Sequence, residues 1–413
     1  MKILLIHQYF LDKGEGGGTR WNEMSRMWVQ QGHEVTVLAG MVNYVTGKKK
    51  DHLKGKWFYE SVNEDGVKVV RTHVSEAYNT NFAGRLWGYL SFVFSSIWAG
   101  TFRIKGKFDV IVCTSPPLFV GATALWLSFI KNLPFVFEIR DLWPESAIDT
   151  GILTNKFIIK LAYGFEKWVY ARSTLINVLT PAFRTALLEK KGIHPEKIIF
   201  IPNAADFSMA TALSDFDAQA YRKALNWEDK LVITYVGAHG VANHLVQLLD
   251  AAELLRNEPV LFVLVGDGMQ KAWLMAEAQK RQLQNIQFLP SVAKQEVFKY
   301  ILAADIGTSI LKKVDTFKTV YSNKTFDYMS CRKPILMAID GVSRELVEQA
   351  GAGLYVEPED AKDFAAKVTW YLQNRDMIKT HGEAGYQYAK THFDRTILAS
   401  QYLEKLLLVK SVN

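Results

Sequence analysis

Lys324 and Asp327 stand three residues apart in the stretch Ser322-Asn323-Lys324-Thr325-Phe326-Asp327-Tyr328-Met329, which reads as an amphipathic helix. A lysine beside a helix N-terminus can neutralise a diphosphate, and an acid in the next turn can accept hydrogen bonds from ribose hydroxyls. The basic pair Arg332-Lys333 and a Pro-led apolar strand from Pro334 follow. Eight residues upstream of Asp327, where a second acid would complete a carboxylate pair, the chain has Thr319. A plain helix-surface acid is the other reading of Asp327, and the stretch by itself leaves both open.

A second constellation is Phe135-Val136-Phe137-Glu138-Ile139-Arg140-Asp141-Leu142-Trp143-Pro144-Glu145-Ser146, an apolar strand that ends in charge. Burying Glu138, Arg140 and Asp141 there is costly unless they pair with each other or meet a ligand. One base and two acids at the carboxyl end of a strand are candidate catalytic residues. An internal ion pair is the plainer alternative. Thr114-Ser115-Pro116-Pro117 follows the strand Val110–Val112 in the same manner.

Three glycine-bearing turns accompany these clusters. Gly14-Glu15-Gly16-Gly17-Gly18-Thr19-Arg20 follows the first apolar strand and opens a helix, so Gly17 and Gly18 would let the backbone approach an anion. The turn matches neither G-x-G-x-x-G nor the Walker pattern. Gly237-Ala238-His239-Gly240 and Gly266-Asp267-Gly268 each follow an apolar strand in the second half. Gly237, Gly240 and Gly266 therefore join Lys324 and Asp327 as candidate nucleotide-binding residues, although an ordinary tight turn also explains Gly266-Asp267-Gly268.

The elements that position these residues are strands alternating with helices. Ile3–Ile6, Val35–Leu38, Val67–Thr72, Val110–Val112, Phe135–Ile139, Leu175–Val178 and Ile198–Ile201 are nearly continuous apolar runs. Such runs mark a parallel sheet covered on both faces, a doubly wound α/β unit. Pro202–Phe207 and a polar stretch after it read as a linker. Alternation resumes with Leu231–Val236, Val260–Val265, Ile286–Phe288, Ile306–Ser309, Ile335–Met337 and Leu354–Val356. The division expected is a Rossmann-like domain over 1–205, a second over 206–392, and a C-terminal helix over 393–413 able to pack back on the first. Two such domains bring their strand ends to face a central cleft, the default ligand site.

The 413 residues are 49% hydrophobic and carry a net charge of +7, too much chain for one core and a balance that favours anionic partners. Scattered basic residues with no recurring aromatic-basic motif argue against nucleic acid. The two cysteines suggest neither a disulfide framework nor a metal knuckle, no cluster has metal-ligand spacing, and no metal is expected. A cytosolic chain is the simpler reading of that cysteine usage, and the N-terminal apolar run is too short for a signal peptide. Leu86–Phe102 is uncharged, with Arg85 and Arg103 at its ends, yet short of a membrane span. It reads either as a core helix or as a helix touching the bilayer interface through Trp87, Tyr89 and Trp98.

Taken in order, these pieces resemble the retaining GT-B glycosyltransferases of family 4 nearly from end to end. The resemblance rests on Gly16-Gly17-Gly18, Gln31-Gly32-His33-Glu34-Val35, Asp109-Val110-Ile111, Gly266-Asp267-Gly268 with Phe288-Leu289-Pro290, Ala303-Ala304-Asp305-Ile306, Lys324 to Met329, and Gly351-Ala352-Gly353-Leu354. Glu138 to Ser146 looks like the WbuB-type subgroup, associated with N-acetylfucosamine transfer to lipid-linked acceptors. The resemblance implies an acceptor-binding first domain and a nucleotide-sugar-binding second domain. It also implies transfer of a sugar, such as an N-acetylated hexosamine or 6-deoxyhexosamine, from a nucleotide diphosphate such as UDP.

The acceptor implied is a polyprenyl-diphosphate-linked saccharide, at the cytoplasmic face of an anionic membrane, in surface polysaccharide synthesis. No cofactor beyond the sugar nucleotide is implied. The family's ribose-binding acid falls on Asp327, its first acid on Thr319, and its pyrophosphate-binding Arg and Lys near Ala238 and Asn243. The diphosphate is then left to Lys324, Arg140 or the Gly17 and Gly240 backbones. Arg140 stands where the family has a histidine. A sugar-nucleotide 2-epimerase of the same fold and a non-catalytic sugar-nucleotide-binding subunit are the alternatives.

Overall fold

The computed structural model describes residues 1–12, 15, 19–43, 47–79, 82–149, 151 and 153–411; Gly17 and Gly18 lie outside the described residues. The chain divides into two compact units, one made of 1–13, 17–202 and 396–413 and the other of 14–16 and 203–395.

The first unit is built on eight strands: β1 (Lys2–Ile6), β2 (Glu34–Gly40), β3 (Phe58–Val62), β4 (Lys68–Thr72), β5 (Val110–Thr114), β6 (Phe135–Ile139), β7 (Leu175–Val178) and β8 (Ile198–Phe200). Their order is β3-β4-β2-β1-β5-β6-β7-β8. All neighbours are parallel except β3, which runs antiparallel to β4. The sequence reading misses β3. Its residues are partly exposed rather than continuously apolar, as suits an edge strand. Helices α1 (Arg20–Gln30), α2 (Phe82–Phe102), α3 (Val120–Lys131) and α4 (Lys156–Arg172) join the strands.

The C-terminal helix (Arg395–Ser411) packs on α1. Tyr402 lies between Trp21 and Trp28, with ring centroids 5.9 and 5.7 Å away. The Trp28 indole N–H donates to the Ala399 carbonyl at 2.9 Å. The aromatic contacts and one satisfied indole dock a helix whose apolar residues alone did not say which domain would take it.

The second unit holds β9 (Leu231–Val236), β10 (Val260–Val265), β11 (Ile286–Leu289), β12 (Ile306–Ile310), β13 (Ile335–Ala338) and β14 (Gly353–Tyr355). They form one parallel sheet in the order β11-β10-β9-β12-β13-β14. Along β9, Leu231, Ile233 and Tyr235 enter one core and Val232 and Val236 the other, which is why the strand reads as a continuous apolar run. In each sheet the chain order reverses beside the first strand of the unit: β1 lies between β2 and β5, and β9 between β10 and β12. Those switch points are where open α/β sheets bind ligands. Cys113 and Cys331 are buried thiols. Among the described residues no helix is long and apolar enough to cross a membrane.

Candidate functional site

The site in the second unit begins with two loops held backbone to backbone. The His239 N–H donates to the Asp267 carbonyl at 2.8 Å, and the Gln270 N–H returns to the His239 carbonyl at 2.9 Å. Gly266, at φ +152°, lies so close that a Cβ there would sit 1.9 Å from the Gly237 carbonyl oxygen. Gly266-Asp267-Gly268 is therefore more than a tight turn, because glycine is what lets the two loops approach. Lys271 closes the corner by donating to the Gly266 and Leu289 carbonyls at 2.7 and 2.8 Å.

His239 was legible only as part of a glycine loop. In the fold it is fully buried, and neither ring nitrogen has a hydrogen-bond partner among the described residues. Burial, with Lys271 nearby, brings its pKa down to about 4, so the ring is neutral at pH 7.

Lys324 reaches this corner from helix α7 (Asn323–Ser330). The helix is bolted to the sheet by Tyr328. Its buried hydroxyl accepts from the Val236 N–H at 3.2 Å and lies 3.1 Å from the Thr308 carbonyl. Gly307 leaves room for that ring, since a Cβ there would sit 2.4 Å from it. Lys324 precedes Tyr328 by four residues, so it shares that face of the helix and points back to the end of β9.

The Lys324 ammonium lies 5.0 Å from the centre of the Tyr235 ring, and the Tyr235 hydroxyl donates to the Ala238 carbonyl at 2.8 Å. A Cβ on Gly237 would sit 3.3 Å from the lysine Cε. The described residues give this ammonium no hydrogen-bond partner. Burial, opposed by Asp327, lowers its pKa to about 8. No side chain caps the start of α7, and of its first N–H groups that of Thr325 donates to the Ser322 carbonyl at 3.1 Å. A partly desolvated cation beside an uncapped helix start is chemically suited to an anion.

Asp327 turns to the neighbouring helix α6 (Lys294–Ala303), where its carboxylate lies 3.6 Å from the Lys294 ammonium. Thr319 closes a short helical turn by donating to the Thr316 carbonyl at 2.7 Å. Its neighbours Lys318 and Asp315 pair with each other at 2.9 Å. Gly341 braces this turn, because a Cβ on it would sit 2.2 Å from the Lys318 carbonyl oxygen. Gly240 leads into the turn Val241–Asn243.

In the first unit the charged end of β6 separates into different roles. Glu138 has no exposed surface, and all its acceptor capacity is taken. Arg20 donates to both carboxylate oxygens, at 3.1 and 2.9 Å, while Thr114 and Asn177 add bonds of 3.2 and 2.8 Å. The ion pair thus forms with a residue 118 positions away and not, as the local reading had it, with Arg140 or Asp141. Expected at a substrate, Glu138 is instead enclosed. A buried Arg20 has to find a carboxylate, and this one fixes the start of α1 to the sheet.

Asp141 accepts from the Ser146 hydroxyl at 2.8 Å, and burial raises its pKa to about 6. Arg140 is half-buried beside His7, whose pKa is held well below its usual value by burial and then by Arg140 and Arg71. His7 and Gln8 follow β1 at the switch point. Both are buried, and the Nδ1 of His7 and both amide atoms of Gln8 lack hydrogen-bond partners among the described residues. Sequence reasoning passed over this pair. Its signal is two polar residues directly after the apolar run Ile3–Ile6.

Residues 15–204 match the glycosyl transferase 4-like domain, and residues 217–388 match the glycosyl transferases group 1 domain. The chain is thus a glycosyltransferase of the GT-B class, with a family-4-like first half and a group 1 second half. It is 24% identical over 414 aligned residues to WcaI of Escherichia coli (strain K12), a glycosyl transferase named for colanic acid biosynthesis; the match covers 98% of this chain and all of that one. It is 23% identical over 61% of its length to the glycosyltransferase named WbjE of Pseudomonas aeruginosa, 63% of which is covered. Among solved structures, HepE of Anabaena in complex with UDP superposes with a TM-score of 0.71 at 19% identity, covering 98% of this chain and 99% of that one. Sucrose-phosphate synthase of Thermosynechococcus elongatus superposes with a TM-score of 0.74 at 15% identity over the full length of both.

Proposed function

We propose that this glycosyltransferase moves a sugar from a nucleoside diphosphate, with retention, to a lipid-linked saccharide during surface polysaccharide synthesis. The observation that carries the reading is the Lys324 ammonium at the corner of Gly237, Tyr235 and the start of α7, to which the described residues give no hydrogen-bond partner. In this reading Lys324, the α7 N–H groups and the Gly237, Gly240 and Gly266 backbones hold the diphosphate. Asp327 takes the ribose hydroxyls.

Transfer breaks the bond from the anomeric carbon to the diphosphate oxygen and forms one to the acceptor hydroxyl oxygen on the same face. The acceptor proton passes to the departing diphosphate. That step needs charge stabilisation of the leaving group and no enzyme nucleophile, which suits Thr319 in place of an acid. Lys324 and the helix supply the positive charge, and we assign no obligatory metal. Arg140 and Asp141 are the residues proposed for the acceptor side, with Glu138 and Arg20 as positioning residues behind them.

UDP as the donor nucleotide is supported by the UDP complex of HepE, and the polysaccharide role by the name of WcaI. An N-acetylated 6-deoxyhexosamine such as N-acetylfucosamine, as in the WbuB-type subgroup, is the donor sugar we favour, at the cytoplasmic face of the membrane. Incubation with UDP-sugars, with and without a polyprenyl-diphosphate saccharide, tests the reading. Acceptor-dependent UDP release is expected. Formation of an isomeric sugar nucleotide without acceptor would make the protein an epimerase, and binding without turnover would make it a non-catalytic subunit.

A further inference from the structure

Helices α2, α3 and α4 each carry a stripe of large apolar side chains that no described part of the first unit covers. On α2 these are Phe94 and Phe102, 63% and 65% exposed; on α3, Trp126 and Phe129, 45% and 81%; on α4, Phe157 and Trp168, 69% and 54%. The three helices lie side by side. Ser96 of α2 bonds Thr123 of α3 at 2.8 Å, and Trp126 donates to Thr101 at 3.1 Å. Gly121 of α3 lets Val169 of α4 approach so closely that a Cβ there would sit 2.8 Å from it. As right-handed connections leading from β4 to β5, β5 to β6 and β6 to β7, they cover the same face of the sheet.

The sequence had singled out the α2 segment alone. In the fold this segment has two faces: Phe92, Val93 and Ala99 enter the core, while Phe94 and Phe102 do not. The fold also adds two neighbouring helices that share the property. An exposed apolar area of this extent marks an interaction surface.

Charge says what covers it. The three helices contain six basic residues, Arg85, Lys131, Lys156, Lys160, Lys167 and Arg172, and one acid, Glu166. That acid is buried and turned inward to Lys191. Arg103, Lys105 and Lys107 follow α2, all exposed. A second copy docked on this face would set two basic surfaces against each other. An anionic bilayer complements both features, with the aromatic rings at headgroup depth and the lysines against lipid phosphates. We infer that the α2–α3–α4 face of the first unit docks on an anionic lipid surface. The inference rests on the lipid-linked acceptor proposed above, since a membrane-borne acceptor gives the docking its purpose.

Flotation with vesicles of phosphatidylcholine alone and of phosphatidylcholine with phosphatidylglycerol tests the surface. The wild type is expected on the anionic vesicles and not on the neutral ones, more weakly at high salt. Exchanging Phe129 and Phe157 for Ser, or Lys156→Glu with Lys160→Glu, is expected to lower that partition about tenfold or more. Leu254→Ser, at an exposed site of the second unit, leaves it unchanged. Wild type that ignores anionic vesicles, or patch variants that bind as well as wild type, would overturn the inference. So would loss of self-association as the only effect of the variants. Transfer to a short-chain, water-soluble acceptor is measured in parallel and should survive in both patch variants. Vesicle binding without transfer to any lipid diphosphate saccharide sinks the acceptor reading and leaves the surface standing.

Discussion

The Lys324 ammonium stands 5.0 Å from the centre of the Tyr235 ring, at the carboxyl end of the first strand of the second unit. The aromatic face offsets part of its lost hydration, yet burial still brings its pKa down to about 8. In the proposed complex a bound diphosphate supplies the hydrogen-bond partner that the described residues do not.

Donor affinity should therefore depend on pH through this lysine. Below its pKa the ammonium is charged and attracts the diphosphate; above it the attraction is lost. Titration of UDP by calorimetry at pH 7 and pH 9 should show about a tenfold loss, because roughly a tenth of the lysine stays protonated one unit above a pKa near 8. Lys324→Met should bind weakly at both values and show no such drop. A wild-type profile flat to pH 9 would assign the charge to another group.

Gly266→Ala should damage the donor corner. The new methyl would meet the Gly237 carbonyl at 1.9 Å, backbone against backbone, so the two loops must part. A stability loss of about 1–3 kcal/mol in urea is expected, as for other overpacked sites, together with lost UDP binding. Unchanged stability and affinity would show that the loops separate without consequence.

Glu138→Gln separates a structural role from a catalytic one. It leaves Arg20 buried beside a neutral side chain, and breaking such a pair typically costs about 3–5 kcal/mol. The variant is expected to unfold at lower denaturant. Full stability with abolished turnover would instead place Glu138 at the substrate.

Asp141 carries a pKa raised to about 6, with burial the main cause. The ionised form is disfavoured in the folded state, so stability from this group is complete below the unfolded pKa near 4 and lost as pH rises through about 6. Asp141→Asn should thus be more stable than wild type at pH 7, by about 2 kcal/mol or less, and no different at pH 4. Thermal melts at the two pH values decide. A variant less stable than wild type at pH 7 would mean that the carboxylate is welcome where it lies.

The doubly wound architecture was legible because parallel strands covered on both faces are written as unbroken apolar runs, Leu231–Val236 above all. β3 was not, since a half-exposed edge strand such as Phe58–Val62 has no such run. The motif containing Lys324 and Asp327 could be placed from spacing and resemblance. Neither reveals that the lysine has no hydrogen-bond partner among the described residues or that the aspartate faces Lys294. Glu138 was misread locally because its partner, Arg20, is close only in the fold. His7, Gln8 and His239 went unread for a related reason. Their character comes from buried polar atoms that have no hydrogen-bond partner among the described residues, which no single-residue pattern encodes. The exposed stripes of α3 and α4 are equally silent in sequence, where an apolar helix reads the same whichever face is covered.

The central claim is that the corner between β9 and α7 holds the nucleoside diphosphate of the donor. Calorimetric titration of UDP into wild type, Lys324→Met, Asp327→Ala and Thr319→Ala at pH 7 tests it most directly. The account predicts binding by the wild type, a loss of about tenfold or more in the Lys324 and Asp327 variants, as expected for removing a charge-assisted contact, and little change for Thr319→Ala. Lys324 and Asp327 variants that remain folded and bind UDP as tightly as wild type would contradict it.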